Sequence, residues 1–301
     1  MTAAALRIGT RGSTLALAQA RAVAALLRAP TELVPITTAG DVDRGRGDKS
    51  RWVGALEAAL AAGDIDLAVH SAKDVPSELA AGTEIVAAPR RADPTDVLVG
   101  ERQLARVREN ARVGTSALRR RAQLLAERPD LEVVELRGNV DTRLRKRAAG
   151  EVDVLVLAAA GLDRLGRRGE AGAALAGDVF VPAPGQGVIA VQAREGSAAA
   201  DVAVAACHAR TLACLRAERA AVRELEASCH TPVGVHAARV GVRGFAGLPD
   251  GSAWLVDEVP VDGDDPEAAA LTLSRRMLAA GAADLLRDAE AMAAHPAAKA
   301  R

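Results

Sequence analysis

The chain is poor in aromatic rings, with two Trp, two Phe and no Tyr. A nucleic-acid surface that stacks bases on aromatic side chains is therefore unsupported, and the core has to be aliphatic. Lysine is scarce as well, at positions 49, 73, 146 and 299 only, and arginine supplies the rest of the 39 basic residues. Such a bias reads as genome composition, so each arginine needs a positional argument before it is given a role. The 39 acidic residues balance the basic ones, which leaves no net positive field for nucleic acid or an anionic membrane and confines anion sites to local clusters. The longest greasy run, VDVLVLAAAG, is far below the ~20 residues of a membrane span, and MTAAALRIG lacks the apolar stretch of a signal peptide. A cytoplasmic protein that engages neither membrane nor nucleic acid is the expectation. Cys207, Cys214 and Cys229 form no paired framework and no CxxC, so reduced thiols are expected. No metal is expected either, because His230 beside Cys229 has no second ligand pair at zinc spacing.

What is present is a chain of 301 residues, 50% apolar and 26% charged, a balance that predicts two or three ordinary globular domains. LRIG reads as a strand, followed by the helix STLALAQARAVAALL behind a Ser13 cap. ELVPITT is a second strand, DVDRGRGDKSR a polar loop with the character of a lid, and WVGALEAALAAG a helix closed by Gly63. IDLAV then delivers the chain to HSAKDVP at the carboxyl end of a strand. The pattern repeats with ARVG and ALRRRAQLLAERP, with LEVVELRG and an Asn139-capped helix, and with VDVLVLA; strands alternating with helices predict parallel-rich α/β sheets. Proline-rich passages at 88–94 and 181–185 bracket this second body, and IAVQAR is expected to return as a strand to the first. From about 207 the texture changes to a long helix carrying Cys207 and Cys214 on one face, a turn at ASCHTPVG, alternating strands, and a last helix over 266–293. The expected domains are 1–89 with 186–206, then 92–181, then an α+β domain over 207–301.

Arg119 and Arg120 fall in the first turn of a helix capped by Thr115 or Ser116, where the dipole disfavours a cation by roughly 0.3–1 kcal/mol. Taken alone, the pair is either solvated surface or the lining of an anion site that offsets this cost. The arrangement recurs with Arg11 beside Ser13 and with Arg143 after Asn139. Three such helix starts in one α/β body favour a ligand with several carboxylates, since ligands gather at strand carboxyl ends. On the anion-site reading, removing Arg119 or Arg143 should leave stability similar or slightly raised. No GxxxxGK[ST] or GxGxxG fingerprint is present, which argues against nucleotides. Asp74, between Lys73 and Val75-Pro76, is either a turn residue or an ionised carboxylate suited to a cationic intermediate. Among the cysteines only Cys229 lies at a turn where a thiol is reachable.

RIGTRGSTLALAQA, AVHSAKDVP, RVGTSALRRRAQL, LRGNVDTRL, LAAAGLDRLG, VPAPGQG, AERA and LEASCHTPVG together resemble, in order, the motifs of the porphobilinogen deaminase family, over almost the whole chain. The resemblance implies two α/β domains like type II periplasmic binding proteins joined by a hinge, plus a smaller C-terminal α+β domain. It implies a monomeric transferase of tetrapyrrole (haem) biosynthesis that condenses four porphobilinogen molecules, releases ammonia, and then frees hydroxymethylbilane by hydrolysis. By the same resemblance Cys229 carries a covalent dipyrromethane cofactor and Asp74 is catalytic. Cofactor contacts would come from Ser71, Lys73, Thr115, Ser116, Arg119, Arg120, Arg137, Gly138 and Arg143, and substrate contacts from Arg11, Ser13, Lys49, Arg137, Arg143 and Arg164. The chain departs from the family pattern at Ala117, at Ala39 and in a shortened lid, GDKSRW, where Lys49 and Trp52 are the nearest equivalents. A solute-binding module of the same architecture and an anion-responsive regulator are the rival readings; the lack of a signal peptide and the reachable Cys229 stand against the first, the lack of a basic recognition helix against the second.

Overall fold

A computed structural model describes residues 4–39, 50–228 and 231–294. The chain forms two compact units, one from Met1–Pro94, Ala160–Arg168 and Gly185–Leu215, the other from Thr95–Ala159, Gly169–Pro184 and Arg216–Arg301.

In the first unit, β1 (Leu6–Arg11), β2 (Thr31–Ile36), β3 (Leu67–Ser71), β4 (Thr83–Ala87) and β10 (Ile189–Arg194) make one sheet in the order β2-β1-β3-β10-β4. β1 runs parallel to β2 and β3, and β10 inserts antiparallel between β3 and β4. The expected return of IAVQAR is thus observed. Ser13 caps α1 (Thr14–Ala24) by accepting the Ala16 N–H at 3.2 Å. The helix stops short of the expected end, at Ala24. α2 (Ser50–Ala62) closes as expected on Gly63, whose φ of +76° is the left-handed conformation that glycine adopts without strain. Ile8, Leu67, Val69, Val191, Ala20 and Val23 form an aliphatic core between sheet and helix, the packing that the scarcity of aromatic rings dictates.

The second unit repeats the topology. β5 (Asp96–Val99), β6 (Arg112–Gly114), β7 (Glu132–Val134), β8 (Val154–Ala158) and β9 (Ala171–Ala174) are ordered β7-β6-β8-β5-β9, with β5 antiparallel between β8 and β9. In both sheets the inserted antiparallel strand directly follows a proline-rich passage. α3 (Leu118–Glu127) and α4 (Val140–Ala148) connect the strands, and Asn139 caps α4 by accepting the Thr142 N–H at 2.9 Å. The cap expected at Thr115 or Ser116 is instead Ala117, which offers no side chain; the Thr115 hydroxyl accepts the Ala117 N–H at 3.2 Å. α5 (Ala159–Arg164) follows β8.

A separate antiparallel sheet, β11 (Val233–Ala237), β12 (Gly241–Gly247) and β13 (Trp254–Pro260), lies within the second unit. After α6 (Ala198–Ala203), α7 spans Ala209–Glu224. Cys214 is buried in α7, but half-buried Cys207 precedes it at the end of a 3-10 turn. The two thiols therefore do not share a helical face, because the helix starts later than the periodicity suggested. Glu218 of α7 is fully buried and accepts the Ala237 N–H of β11 at 2.8 Å. The last helix is two, α8 (Pro266–Ala279) and α9 (Ala282–Ala294), interrupted at Gly281 with φ +96°.

One glycine ties the fold to the loop after β3. Gly185 has φ +73°, and a Cβ there would meet the Ala72 carbonyl carbon at 2.9 Å and the Lys73 nitrogen at 3.0 Å. Gly82 has a similar φ of +74° with nothing within 4 Å. Both substitutions to Ala carry the left-handed strain of roughly 1–3 kcal/mol, but only Gly185→Ala adds a backbone collision. Urea denaturation should show Gly185→Ala clearly less stable than Gly82→Ala; equal losses would mean the approach to Ala72 is of no consequence.

Candidate active site

β1 and β3 are parallel neighbours, and the register that pairs Gly9 with Ala68 sets Arg11 level with His70 at the carboxyl ends of the two strands. Past Ser71 the chain makes a 3-10 turn over Ala72–Asp74. Buried Ala72 and Val75 anchor that turn among Ala88, Val188, Ala190 and Leu212, while Lys73 and Asp74 stay half-buried. Ser71 exchanges hydrogen bonds with Gln19 of α1, its Oγ 2.9 Å from Nε2 and 3.1 Å from Oε1. The Arg11 guanidinium lies 4.1 Å from the centroid of the Trp52 ring, a cation–π contact. Arg164 is largely buried and donates from Nη2 to the Gly187 carbonyl at 2.7 Å. Burial pulls its pKa down to about 10, against the attraction of Asp163, so it remains a cation at neutral pH. The structure thus brings Arg11, Ser13, Ser71, Lys73 and Asp74 to one edge of the first sheet, and places Arg164 in the same unit on the glycine segment that follows Gly185.

His70 lies directly before this turn and is buried. Desolvation pushes its pKa down to about 4 even though Gln192 and the carboxylates of Glu57 and Asp74 favour the cation. A neutral imidazole therefore precedes the turn at physiological pH.

In the second unit the corresponding strand ends carry Thr115 and Ser116 after β6, and Arg137 and Gly138 after β7. Arg143 of α4 donates from Nε to the Gly138 carbonyl at 2.8 Å and from Nη2 to the Ser116 hydroxyl at 3.0 Å. Arg137 pairs with Glu135, at 2.8 Å from Nε and 2.6 Å from Nη2. Arg119 and Arg120 are placed differently from the surface positions that the helix-start reading required. Both are 5% exposed and clasp Asp96, itself 6% exposed, with Arg119 Nη2 at 2.7 Å and Arg120 Nη2 at 2.7 Å. Arg119 also donates to Gln123 and to the Val181 carbonyl, and Arg120 to the Val156 carbonyl. The anion that offsets the helix-start charge is supplied by the protein. Cys229 and Lys49 lie outside the described residues. Ser228, just before Cys229, donates to Glu290 at 2.6 Å, and the hydroxyl of Thr231 donates to the Ser228 carbonyl at 2.8 Å.

Sequence reasoning missed Gln19, Glu57, Asp96 and Gln192. For Gln192 the signal was a glutamine inside the apolar strand IAVQAR, which a buried strand tolerates only when it is hydrogen-bonded. For Asp96 it was the lone carboxylate heading the apolar run DVLV.

Residues 6–201 match the model of the porphobilinogen deaminase dipyromethane cofactor binding domain, and residues 212–279 match the porphobilinogen deaminase C-terminal domain. The chain belongs to the porphobilinogen deaminase family. Porphobilinogen deaminases of Thiobacillus denitrificans and Rubrobacter xylanophilus are 42% and 45% identical to it, over 93% of this chain and 97% and 96% of theirs. That of Thermus thermophilus is 41% identical over 93% of this chain and 97% of its own. A solved ligand-binding component of an ABC-type import system from Staphylococcus aureus overlaps 73% of this chain and 73% of its own with a TM-score of 0.41 at 15% identity. Among the described residues no single helix is long and apolar enough to cross a membrane. The matched N-terminal model is that of a dipyrromethane cofactor binding domain, and the guanidinium–hydroxyl pair of Arg143 and Ser116 has the chemistry to take a carboxylate.

The Asp96 triad sets a stability test. Burial alone would raise the Asp96 carboxyl pKa, but the attraction of Arg119 and Arg120 prevails and holds it well below the usual carboxylate range. Arg119→Leu leaves Asp96 paired with Arg120 but takes away a buried hydrogen-bond donor from both Asp96 and Gln123, losses of roughly 1–3 kcal/mol each, so a loss of urea stability replaces the neutral or positive effect expected from sequence. The contribution of Asp96 is fully present above its unfolded pKa of about 3.9 and fades as pH falls toward the depressed folded value. The stability gap between the parent and Asp96→Asn should therefore shrink below about pH 4; a gap that widens there would show that the triad is not an ion cluster.

Proposed function

We propose that the chain is a transferase that condenses four porphobilinogen molecules on a dipyrromethane attached to Cys229, expels ammonia at each step, and releases hydroxymethylbilane by hydrolysis. The observation that carries this reading is the display of Asp74 and Lys73 on a turn at the carboxyl end of β3, in a chain whose family match covers residues 6–201 and 212–279. We assign domain limits of 1–89 with 186–206, 92–181 and 207–301, a monomeric state and a cytoplasmic location on the same reading.

The chemistry follows from the substrate. Porphobilinogen is a pyrrole bearing an aminomethyl group and two carboxylate arms; loss of ammonia leaves a methylene-pyrrolenine whose positive charge is shared with the ring nitrogen. Asp74 accepts the pyrrole N–H and places its negative charge against that cation. Fixed charge at the point where charge develops is typically the largest catalytic contribution. Lys73 places a positive charge on the same turn. Arg11, Ser13, Lys49 and Arg164 take the substrate carboxylates by charge-assisted hydrogen bonds. Ser71, Thr115, Ser116, Arg137, Gly138 and Arg143 hold the cofactor, with Arg137 and Arg143 shared with substrate. Arg119 and Arg120 act for the cofactor from their Asp96-clasped position, as a source of positive potential. When bound, the dipyrromethane supplies the pyrrole carbon that attacks the electrophile.

Asp74→Asn keeps the shape of the side chain and removes its charge, so it should fold normally and lose most turnover, on the order of a hundredfold or more; near-normal activity would remove Asp74 from the mechanism. Intact mass tests the attachment point. Cys229→Ser should purify as a folded apoprotein without the dipyrromethane mass and without the pink reaction with acidified aldehyde reagent, whereas Cys207→Ser and Cys214→Ser should keep both. Persistence of the added mass on Cys229→Ser would refute the assignment.

A further inference from the structure

The segment that carries Asp74 is fastened at both ends to one carboxylate. At its start, His70 Nε2 lies 3.0 Å from Gln192 Oε1. The Gln192 amide nitrogen donates to Glu57 Oε1 at 2.9 Å and to the Thr83 hydroxyl at 2.8 Å. With both amide hydrogens committed, the Gln192 oxygen must face the imidazole, and a neutral His70 must carry its proton on Nε2. At the far end of the segment, the Ala80 N–H donates to the same Glu57 Oε1 at 3.1 Å, and the Ala80 carbonyl accepts the Thr83 hydroxyl at 2.7 Å. Gln192 is completely buried, so its hydrogen bonds form without competition from water. Between the two ends, the Ala72 N–H donates to the Val188 carbonyl at 3.0 Å and the Val75 N–H to the Ala72 carbonyl at 3.1 Å.

We propose that Glu57, Gln192 and His70 are positioning residues for the reaction: the Glu57 carboxylate closes the segment from His70 to Ala80, through Gln192 at one end and directly at the other, and so fixes the turn that presents Asp74. This rests on the catalytic reading of Asp74 given above. A charge that stabilises a transient cation has to be in place before the cation forms, and a site is only as accurate as the shell that supports it. The closure draws on α2, β3, β4 and β10, so the turn is referenced to both the sheet and its covering helix.

The test uses cofactor-loaded enzyme, checked by intact mass, for Glu57→Leu, Glu57→Gln, Gln192→Leu and Asp74→Asn. Glu57→Leu and Gln192→Leu should lower kcat roughly ten- to a hundredfold with KM for porphobilinogen little changed. Glu57→Gln, whose amide oxygen still accepts both N–H groups, should restore turnover close to the parent's. Nitrogen-15 spectra of the parent should show a neutral His70 protonated at Nε2, and Gln192→Leu should lose that signature. Where Glu57→Leu does not fold, Thr83→Val, which removes one bond to Gln192 and one to Ala80, should give a smaller loss of kcat in the same sense. Folded, loaded Glu57→Leu or Gln192→Leu turning over at the parental rate while Asp74→Asn is inactive would overturn the closure and leave the role of Asp74 standing. A Glu57→Gln defect as deep as that of Glu57→Leu would overturn it too, because charge rather than positioning would then be at stake. Normal turnover by Asp74→Asn would instead remove the reading beneath it.

Discussion

The antiparallel pairing of β10 with β3 is the constraint on which the candidate site rests. β3 ends in the residues that lead to Asp74, and the polypeptide there is held by partners more than a hundred positions away: Ile189 opposite Ser71, Ala190 opposite His70, and the Val188 carbonyl on the Ala72 N–H. Without β10 the end of β3 would expose unpaired backbone groups, and the turn after it would have only its own short hydrogen bonds to define it. The segment that carries Asp74 is thus shaped by sequence-distant contacts, whose loop-closure entropy must be met before they contribute. Such a site forms only once most of the first unit is in place.

The two five-stranded sheets share a topology and differ in how their inserted strands deal with buried polar groups. β10 brings Gln192, a neutral amide whose oxygen accepts and whose nitrogen donates, and it satisfies an imidazole, a carboxylate and a hydroxyl at once. β5 brings Asp96, which gathers two guanidinium groups from consecutive positions of α3. In the first arrangement the desolvated His70 ring stays neutral despite the carboxylates near it. The second carries a net positive charge inside the second unit, one carboxylate against two guanidiniums, in the part of the chain where carboxylate-bearing pyrroles are proposed to bind. A buried triad of this kind is weak evidence for stability in itself, since its Coulomb gain is largely spent on desolvation. Its consequence is that Asp96 cannot be removed without leaving two buried guanidiniums side by side and uncompensated.

What the sequence made legible was local. Ser13 and Asn139 were read as caps because a cap acts on an N–H three residues away, and Gly63 as a helix end because its φ follows from a single residue. The alternation of strands and helices, the return of IAVQAR and the motifs around Asp74 were equally visible. The misreadings came where burial or a distant partner decides. Arg119 and Arg120 looked like surface charges at a helix start because nothing in RVGTSALRRR reveals Asp96, which precedes them by more than twenty positions. Cys207 was placed on a helix that begins only at Ala209, and one apolar periodicity was carried through Gly281, where the backbone turns left-handed.

The same distinction explains why the sequence named Asp74 and not Glu57. A residue proposed to meet substrate, as Asp74 is, is drawn from a short motif at a strand end, where chemistry restricts its type and neighbours restrict its position. A residue that holds it acts through packing and hydrogen bonds that many local sequences could supply. Glu57 sits on a helix of ordinary amphipathic pattern, and its partners are an alanine N–H and a glutamine from another part of the chain. Its importance is visible only as convergence: a bond from Ala80 at one end of the segment and a bond from Gln192, which holds His70 at the other, meet on a single oxygen. Convergence of that kind is a three-dimensional property, and it turns an unremarkable helix surface into part of the machinery that holds a negative charge still.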